Sequence, residues 1–291
     1  MSTGITKSFN FRRIKSNLLF WIVCLFSFMA MIPLFLILWE VVSEGYKNFN
    51  IRLFTEVTPS SMDALLAKMN GESIPGGILN GITGTILIVG LAILFSVPLG
   101  LFIGIYLSDN RDKKFAKVVS FLTDLLQGMP SIVVGIIAYA WVVKSLGSYS
   151  ALAGSVALTI MMLPMIVRST EETLKMLPRS YKEAGLALGS SYTNVVFNIL
   201  LPSGFGGIFT GILLAISRIM GESAPLMLTA LGASVVNWSV MEPTSAIPLL
   251  IWEFYNDPNL VDLVWSSSLL LLIFIFLLNW IAKIVANKWK I

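Results

Sequence analysis

The chain has 291 residues, of which 56% are hydrophobic and only 12% are charged, and its formal net charge is +4. Because soluble domains carry about 25% charged residues, a mean hydropathy of +0.83 with so few charges excludes an ordinary soluble domain. The absence of histidine and the single cysteine, Cys24, exclude histidine-based catalysis and a disulfide framework.

Six apolar runs are long enough to cross a bilayer, which needs roughly 20 predominantly apolar residues for each helix. They cover residues 17–42, 78–107, 115–143, 150–167, 204–231 and 263–286. None of them alternates strictly between apolar and polar residues, so an outer-membrane barrel is excluded. The sequence therefore predicts an all-α membrane protein with six transmembrane helices.

The first run follows the basic segment "FRRIKSN" and invites comparison with a secretory signal. Its apolar part is about 25 residues long, beyond the range of a signal peptide, and no small-x-small cleavage site follows it. We therefore predict a retained helix at 17–42 after an N-terminal tail at 1–16. The rest is an external loop at 43–77, a core at 78–286 that includes a loop at 168–203, and a C-terminal tail at 287–291.

Positive charge is distributed unevenly between the two sides of the predicted bundle. Fifteen of the 20 Lys and Arg residues lie near the N-terminus, the C-terminus, the 108–114 connection or the 168–203 loop. Four lie in the other connections, and Arg218 lies inside the fifth run. Since Lys and Arg accumulate in cytoplasmic loops, both termini are predicted to be cytoplasmic. The net charge then reflects topology, and no basic run indicates nucleic-acid binding.

The 168–203 loop contains a short amphipathic segment. Pro178 is placed to begin a helix, in which Tyr181, Ala184 and Leu188 recur at helical spacing, and Gly189 is placed to end it as a left-handed cap. Two interpretations stay open on these residues alone. The helix either lies on the membrane surface or presents a knob to a partner protein.

The stretch "SRIMGESAPLML" places two opposite charges inside the fifth apolar run. If that helix begins at Gly204, Arg218 lies roughly 21 Å along it, near the bilayer midplane. An arginine there costs about 2.5–3.5 kcal/mol and requires a partner or water. Glu222 follows at i+4, within reach on the same helix face. Pro225 cannot donate a hydrogen bond to the carbonyl of Gly221, which predicts a kink.

Two interpretations of this charge pair are open. One is a buried ion pair that fixes helix packing. The other is a gated anion pathway, since Arg218 offers a planar fork of donors to an oxyanion and small residues nearby permit close helix contact. Glu222 would accept the proton of monohydrogen phosphate in a hydrogen bond, a contact that sulfate does not offer, or would only orient Arg218. The small residues are Gly207, Gly211, Ala215 and Gly221.

The loop residues carry a resemblance to a known family. Glu183, Ala184 and Gly185 are followed after three residues by Gly189, and after nine more by the segment "ILLP" at 199–202. This pattern resembles the EAA loop of ABC importer membrane subunits and departs from it only at Gly185, where that motif has alanine. The resemblance implies that the segment is a coupling helix, with Glu183, Ala184, Gly185 and Gly189 forming the contact with a separate ATPase subunit.

Further segments narrow the resemblance. "RIMGESAPLMLTALG" at 218–232, "GMPSIVVGI" at 128–136 and "PGGILNGITGTILI" at 75–88 are similar to PstA-type permease subunits of bacterial phosphate importers. The resemblance implies a type I ABC importer fold of the MetI-like kind in the cytoplasmic membrane. Arg218 and Glu222 would line the substrate pathway, and Gly221 and Pro225 would form the kink that gates it.

The implied function is that of a permease subunit in an ATP-driven importer of inorganic phosphate. The implied partners are a PstC-like permease subunit, a PstB-like ATPase dimer and a PstS-like phosphate-binding protein. This chain has no P-loop, so it is expected to be no enzyme and to hold no cofactor, with ATP and magnesium bound by the ATPase. The alternatives are an importer of another oxyanion, molybdate or sulfate, and a membrane-bound sensor or scaffold.

Overall fold

The computed structural model describes residues 3–288, and its regular structure there is helical apart from one isolated bridge between Leu231 and Thr244. In chain order the helices are α1 (Thr3–Gly45), α2 (Arg52–Thr55), α3 (Ser61–Asn70), α4 (Leu79–Asp109), α5 (Lys114–Gly128), α6 (Ser131–Ala138), α7 (Lys144–Leu146), α8 (Ala151–Met176), α9 (Arg179–Ala187), α10 (Tyr192–Val195), α11 (Leu201–Ile219), α12 (Ala224–Met227), α13 (Ile247–Tyr255) and α14 (Val261–Lys288). Two π-helical turns, Tyr139–Val143 and Val196–Leu200, join α6 to α7 and α10 to α11.

Five helical segments of the described chain are long and apolar enough to cross a membrane, and a bent pair of helices supplies a sixth crossing if it counts as one span. The five are Lys15–Gly45, Leu79–Asp109, Ala151–Met176, Tyr192–Ile219 and Val261–Val285. The prediction of an all-α membrane protein is confirmed. The first helix begins before residue 17, because no glycine or proline interrupts the chain between Ile5 and Ile32.

The run predicted as one helix at 115–143 is bent instead, and the single-helix prediction is wrong. The chain bends by 107° between α5 and the segment Ser131–Leu146. Met129 lies between them with an extended backbone, φ −73° and ψ 136°, and precedes Pro130. Since a residue before proline is driven away from the helical region, the bend follows from this dipeptide.

The boundaries of the next two spans also differ from the prediction. α8 continues past Val167 to Met176, because Arg168 finds partners in the bundle: its Nη2 lies 2.5 Å from Asp124 Oδ1 of α5 and its Nη1 2.6 Å from Glu171 Oε2. The fifth span begins at Tyr192, not at residue 204, and ends at Ile219, not at residue 231. The connection between the two spans is therefore much shorter than the predicted 168–203 loop.

The bundle has two ends, the α9 end and the α13 end, each called after the short helix that lies there. At the α9 end, Lys182 Nζ of α9 lies 2.8 Å from Oδ1 of Asp109, the last residue of α4. At the α13 end, the backbone amide of Ile247 donates to Thr85 Oγ1, 2.9 Å away, near the start of α4. α4 and α8 therefore extend from one end to the other and form the centre of the fold.

Apolar side chains from α4, α8 and α11 form the main buried cluster. It is drawn from residues that include Ile88, Ala92, Leu158, Met162, Ile166, Ile216 and Ile219. Glycines bring the helices into close contact: a Cβ on Gly100 would lie 2.7 Å from Ile166 Cγ2, and one on Gly104 would lie 2.6 Å from Thr170 Cβ. Small residues at helix crossings allow such contact inside a membrane, where packing holds helices together.

The segment after α12 forms a packed cap at the α13 end. Asn80 of α4 accepts hydrogen bonds from Thr58 and donates to the carbonyl of Ala233 at 2.7 Å. A Cβ on Gly84 would lie 1.8 Å from the carbonyl oxygen of Ser245, so α4 touches this segment backbone to backbone. Desolvation by the surrounding protein raises the pKa of Glu253 in α13, although the residue as a whole is exposed.

Candidate functional site

Arg218 is the penultimate residue of α11 and lies at mid-depth in the bundle. Its Nη1 is 3.8 Å from Sδ of Met165, which lies just past the middle of α8. Its neighbours Ile216 and Ile219 belong to the buried cluster that also holds Ala92, near the middle of α4. The position of Arg218 near the bilayer midplane stays a prediction. The predicted start of its helix at Gly204 was wrong, because α11 is the end of a longer helix that stops inside the bundle.

An ion pair between Arg218 and Glu222, one of the two interpretations that the sequence leaves open, is absent. The helix ends at Ile219, so Glu222 lies beyond it and the i+4 relation no longer places the two side chains on one face. Within residues 3–288, no carboxylate lies within 4.0 Å of the Arg218 guanidinium. Arg218 is exposed on the surface of this chain and Glu222 is partly buried. A packing ion pair is therefore not what holds Arg218 in place.

The backbone around Gly221 breaks completely instead of kinking. The amide of Glu222 donates to the carbonyl of Ile219 at 3.1 Å, which closes a tight turn before α12 begins at Ala224. Pro225 is buried in the first turn of α12, and a Cβ on Gly135 of α6 would lie 2.8 Å from its Cα. The bent pair α5–α6 is thereby packed directly against the segment that follows Arg218.

Glycines of α11 and hydroxyl side chains of α8 meet where these two helices cross, between Arg218 and the α9 end. A Cβ on Gly211 would lie 1.6 Å from Ser169 Oγ, and one on Gly207 would lie 2.7 Å from Thr173 Oγ1. The predicted close contact through small residues is confirmed at these two positions. The hydroxyl groups that fill the space were missed, because the sequence does not tell which face of α8 meets α11.

Ser217, which precedes Arg218 on the chain, links α11 to a polar side chain of α14. Ser217 Oγ is 3.3 Å from Asn279 Oδ1 of α14, and it also donates to the carbonyl of Leu213. Asn279 is a polar residue in the long apolar helix α14. A polar amide within an apolar run was a sequence signal for this contact, and it was missed. Within residues 3–288, no group of three or more Cys, Asp or Glu side chains is arranged as metal ligands would be.

The amphipathic helix of the loop is α9, and it begins after Pro178 as predicted. Glu183 and Ala184 are exposed, whereas Gly185 is buried. A Cβ on Gly185 would lie 2.9 Å from side-chain atoms of both Val195 and Ile199, so this position faces the start of the fifth span. The one departure from the EAA pattern therefore lies on the inner side of α9, away from the exposed face.

Gly189 ends the loop helix in a left-handed conformation, with φ of 80°. The amide of Ser190 donates to the carbonyl of Gly185 at 3.3 Å, which closes the turn beyond the helix. This prediction is confirmed. Apolar side chains are exposed beside this turn, namely Tyr181, Leu186 and Leu188, the last with 87% of its surface exposed. Within residues 3–288, α9 therefore presents an uncovered apolar surface next to an acidic residue.

Comparisons with known proteins agree with this architecture. The family model described as "Binding-protein-dependent transport system inner membrane component" matches residues 96–291. The chain is 32% identical to the phosphate transport system permease protein PstA of Haemophilus influenzae, over 96% of each chain. It is 36% identical to that of Yersinia pestis, over 87% of this chain and 84% of that protein.

Two solved structures share the fold at low sequence identity. The MetNI methionine ABC transporter in an inward-facing form aligns with a TM-score of 0.62 and 20% identity, over 72% of this chain and 94% of that chain. A bacterial alginate ABC transporter, solved with a periplasmic protein bound to an alginate pentasaccharide, aligns with a TM-score of 0.68 and 12% identity, over 96% of this chain and 97% of that chain. The fold is thus that of the MetI-like importer permeases, and the chain belongs to the family of binding-protein-dependent transport system inner membrane components, as a multi-pass permease of the PstA type that works in a complex with other subunits.

Proposed function

We propose that this chain is one half of the membrane pathway of an ATP-driven importer of inorganic phosphate, with a PstC-like subunit as the other half. The observation that carries the proposal is Arg218, which is exposed at mid-depth and makes no ion pair within residues 3–288. An arginine facing lipid at this depth costs about 2.5–3.5 kcal/mol, so its face must be turned to water or to another protein. A pathway between two permease subunits would place Arg218 next to both water and a second protein.

Phosphate suits the chemistry of this position. The Arg218 guanidinium presents a planar fork of donors that matches two oxygens of an oxyanion. Glu222 would accept a hydrogen bond from the P–OH group of monohydrogen phosphate after the anion has met Arg218, since the two side chains are not occupied by each other. The relatives named above are phosphate transport permeases, which favours phosphate over sulfate or molybdate as the cargo.

ATP and magnesium would be bound by a PstB-like ATPase dimer and not by this chain. The exposed face of α9, with Glu183 and Ala184 beside Leu186 and Leu188, is the surface on which one ATPase subunit would dock. Gly189 would keep the following turn in place, and Gly185 would hold α9 against the fifth span. The membrane-surface interpretation is disfavoured because α9 is tied to Asp109 instead of lying free.

We propose that both chain termini are cytoplasmic and that the protein lies in the bacterial cytoplasmic membrane. A Cβ on Gly45, at the end of α1, would lie 2.7 Å from the carbonyl of Trp265, near the start of α14. α1 and α14 therefore meet at the same end, and their other ends point toward the α9 end, where cytoplasmic ATP is available. A PstS-like protein would dock at the α13 end.

Reporter fusions test this orientation. Alkaline phosphatase, active only outside the cytoplasm, should be inactive when fused at the C-terminus or after Asn110 and active when inserted after Asn256, at the end of α13. A fluorescent reporter at the same three positions should give the reverse pattern. An active phosphatase at the C-terminus would contradict the proposed orientation and place α9 outside the cytoplasm.

Uptake in reconstituted vesicles tests the proposed cargo. The chain is co-expressed with its ATPase, second permease subunit and binding protein, and uptake of radiolabelled phosphate is measured with and without ATP. We expect ATP-dependent uptake that unlabelled phosphate competes away and that sulfate and molybdate do not. Uptake of sulfate or molybdate without phosphate uptake would assign the chain to another oxyanion. Phosphate uptake that does not depend on ATP would contradict the proposal of an ATP-driven importer.

A further inference from the structure

Three side chains from three separate helices meet at the α9 end. Asp109 is the last residue of α4, Lys182 lies in α9, and Tyr192 is the first residue of α10. Lys182 Nζ lies 2.8 Å from Asp109 Oδ1, and the Tyr192 hydroxyl donates to Asp109 Oδ2. We refer to these three residues as the Asp109 cluster.

Each of the three side chains in the Asp109 cluster contacts the other two. Besides its ion pair, Lys182 Nζ lies 5.1 Å from the centre of the Tyr192 ring, within the range of a cation–π contact. Both oxygens of the Asp109 carboxylate therefore have a partner, and the two partners contact each other. The Asp109 side chain is 19% exposed and that of Lys182 is 33% exposed, so the ion pair is only partly screened by solvent.

The Asp109 cluster joins the two sides of the Gly189 turn. Lys182 precedes the Gly189 turn and Tyr192 follows it, so Asp109 holds both arms of the loop at once. The inner side of α9 otherwise packs on Val195 and Ile199, which belong to the fifth span. The Asp109 cluster adds a link from α9 to a different spanning helix, α4.

α4 connects this link to the depth at which Arg218 lies. It packs along α8 over most of its length through Gly100 and Gly104, and its residues Ile88 and Ala92 belong to the same buried cluster as Ile219. A displacement of α9 that moved Asp109 would therefore shift the helix whose middle supports the end of α11. α4 is a single helix from Leu79 to Asp109, although Pro98 removes one of its backbone hydrogen bonds. Its contacts with α8 on both sides of Pro98 let it carry such a displacement.

We propose that Lys182 and Tyr192 are positioning residues that transmit movement of the coupling helix to α4 through Asp109, so that ATP hydrolysis and opening of the pathway stay linked. The inference rests on the proposed function of α9 as the ATPase contact. It assigns a separate task to residues on the inner side of the loop: docking belongs to the exposed face with Glu183, and transmission belongs to the Asp109 cluster.

The test measures phosphate uptake per ATP hydrolysed by the full complex in vesicles. Asp109→Asn keeps the shape of the side chain and removes the ion pair, and Tyr192→Phe removes only the hydroxyl. We expect Asp109→Asn to lower uptake per ATP about fivefold, the order by which a partly exposed ion pair couples its partners. Tyr192→Phe leaves the ion pair intact and should lower uptake per ATP by a smaller factor, and the ATPase should co-purify in full with both variants. The exchange Asp109→Lys with Lys182→Asp should recover part of the loss.

The matched control is Asp112→Asn, which removes an exposed carboxylate three residues beyond Asp109 and should leave uptake per ATP unchanged. Normal coupling in both cluster variants would overturn the proposal, as would a loss explained by missing ATPase in the purified complex. The unchanged complex is measured in the same vesicles. If it hydrolyses ATP without importing phosphate, the proposed function fails, whereas normal import by the unchanged complex and by all variants contradicts the Asp109 cluster alone.

Discussion

Arg218→Lys is expected to lower phosphate uptake at least about tenfold, a loss of about 1.4 kcal/mol or more, while the amount of protein in the membrane stays normal. The substitution keeps the positive charge but replaces a planar fork of donors with a single ammonium group. Because Arg218 is exposed and makes no ion pair within residues 3–288, the change to lysine breaks no ion pair on which the fold depends. The measurement is ATP-dependent uptake normalised to membrane abundance.

Arg111→Lys is the matched control, since Arg111 is also exposed and lies at the α9 end, away from the pathway. It should leave uptake unchanged. Glu222→Gln should be milder than Arg218→Lys, because an amide oxygen still accepts a hydrogen bond. Exchanging the two charges should abolish uptake by placing a carboxylate where the anion passes. An exchange variant that transports normally would show that the anion does not depend on a positive charge at position 218 and would contradict the proposed role of Arg218.

Gly189→Val is expected to remove most of the ATPase from the purified complex and to lower uptake in proportion. A β-branched residue in the left-handed region costs about 1–2 kcal/mol, so the turn after α9 would change its conformation and re-aim the exposed face. Open space surrounds Gly189, and a Cβ added there would meet no neighbouring atom within 4 Å, so the effect comes from backbone conformation and not from a clash. Co-purification of the ATPase measures it.

Gly147→Val supplies the control for backbone strain alone. Gly147 has φ of 73° and equally open surroundings, but it follows α7 at the other end of the bundle. It should retain the ATPase even if both variants are somewhat less stable. Glu183→Lys, which reverses the charge on the exposed face without strain, should weaken ATPase binding as well. Full ATPase retention in both loop variants would return α9 to the role of a membrane-surface helix.

The fold could be predicted from hydropathy because a bilayer demands long apolar helices, and their order along the chain is simple. The boundaries could not, since they depend on partners far away in sequence. Arg168 looked like the end of a span because it is charged, yet Asp124 on α5 neutralises it and the helix continues. The bend at Met129 and Pro130 was readable from the dipeptide, but an unbroken apolar run concealed it.

The candidate site was predictable where a residue has no ordinary structural role, and less so where its role depends on contacts. Arg218 was identified because a charge inside an apolar run needs an explanation, and Gly189 because helices end in such glycines. The partnership of Arg218 with Glu222 was inferred from helical spacing and failed when the helix ended at Ile219. Asp109 and Tyr192 had no sequence signal, because 83 residues separate them along the chain.

The position of α1 has a consequence for how the protein is made. Between Lys15 and Val42 most side chains of α1 are exposed, and its main contacts within residues 3–288 are with α14, the described helix furthest from it in sequence. During translation, α1 therefore enters the membrane long before this partner exists, and the contact between Gly45 and Trp265 closes only after the intervening spans have been synthesised. A nascent chain that stops before α14 leaves α1 without its main docking site in its own chain, so the synthesis of α14 is the event that fixes α1 to the bundle.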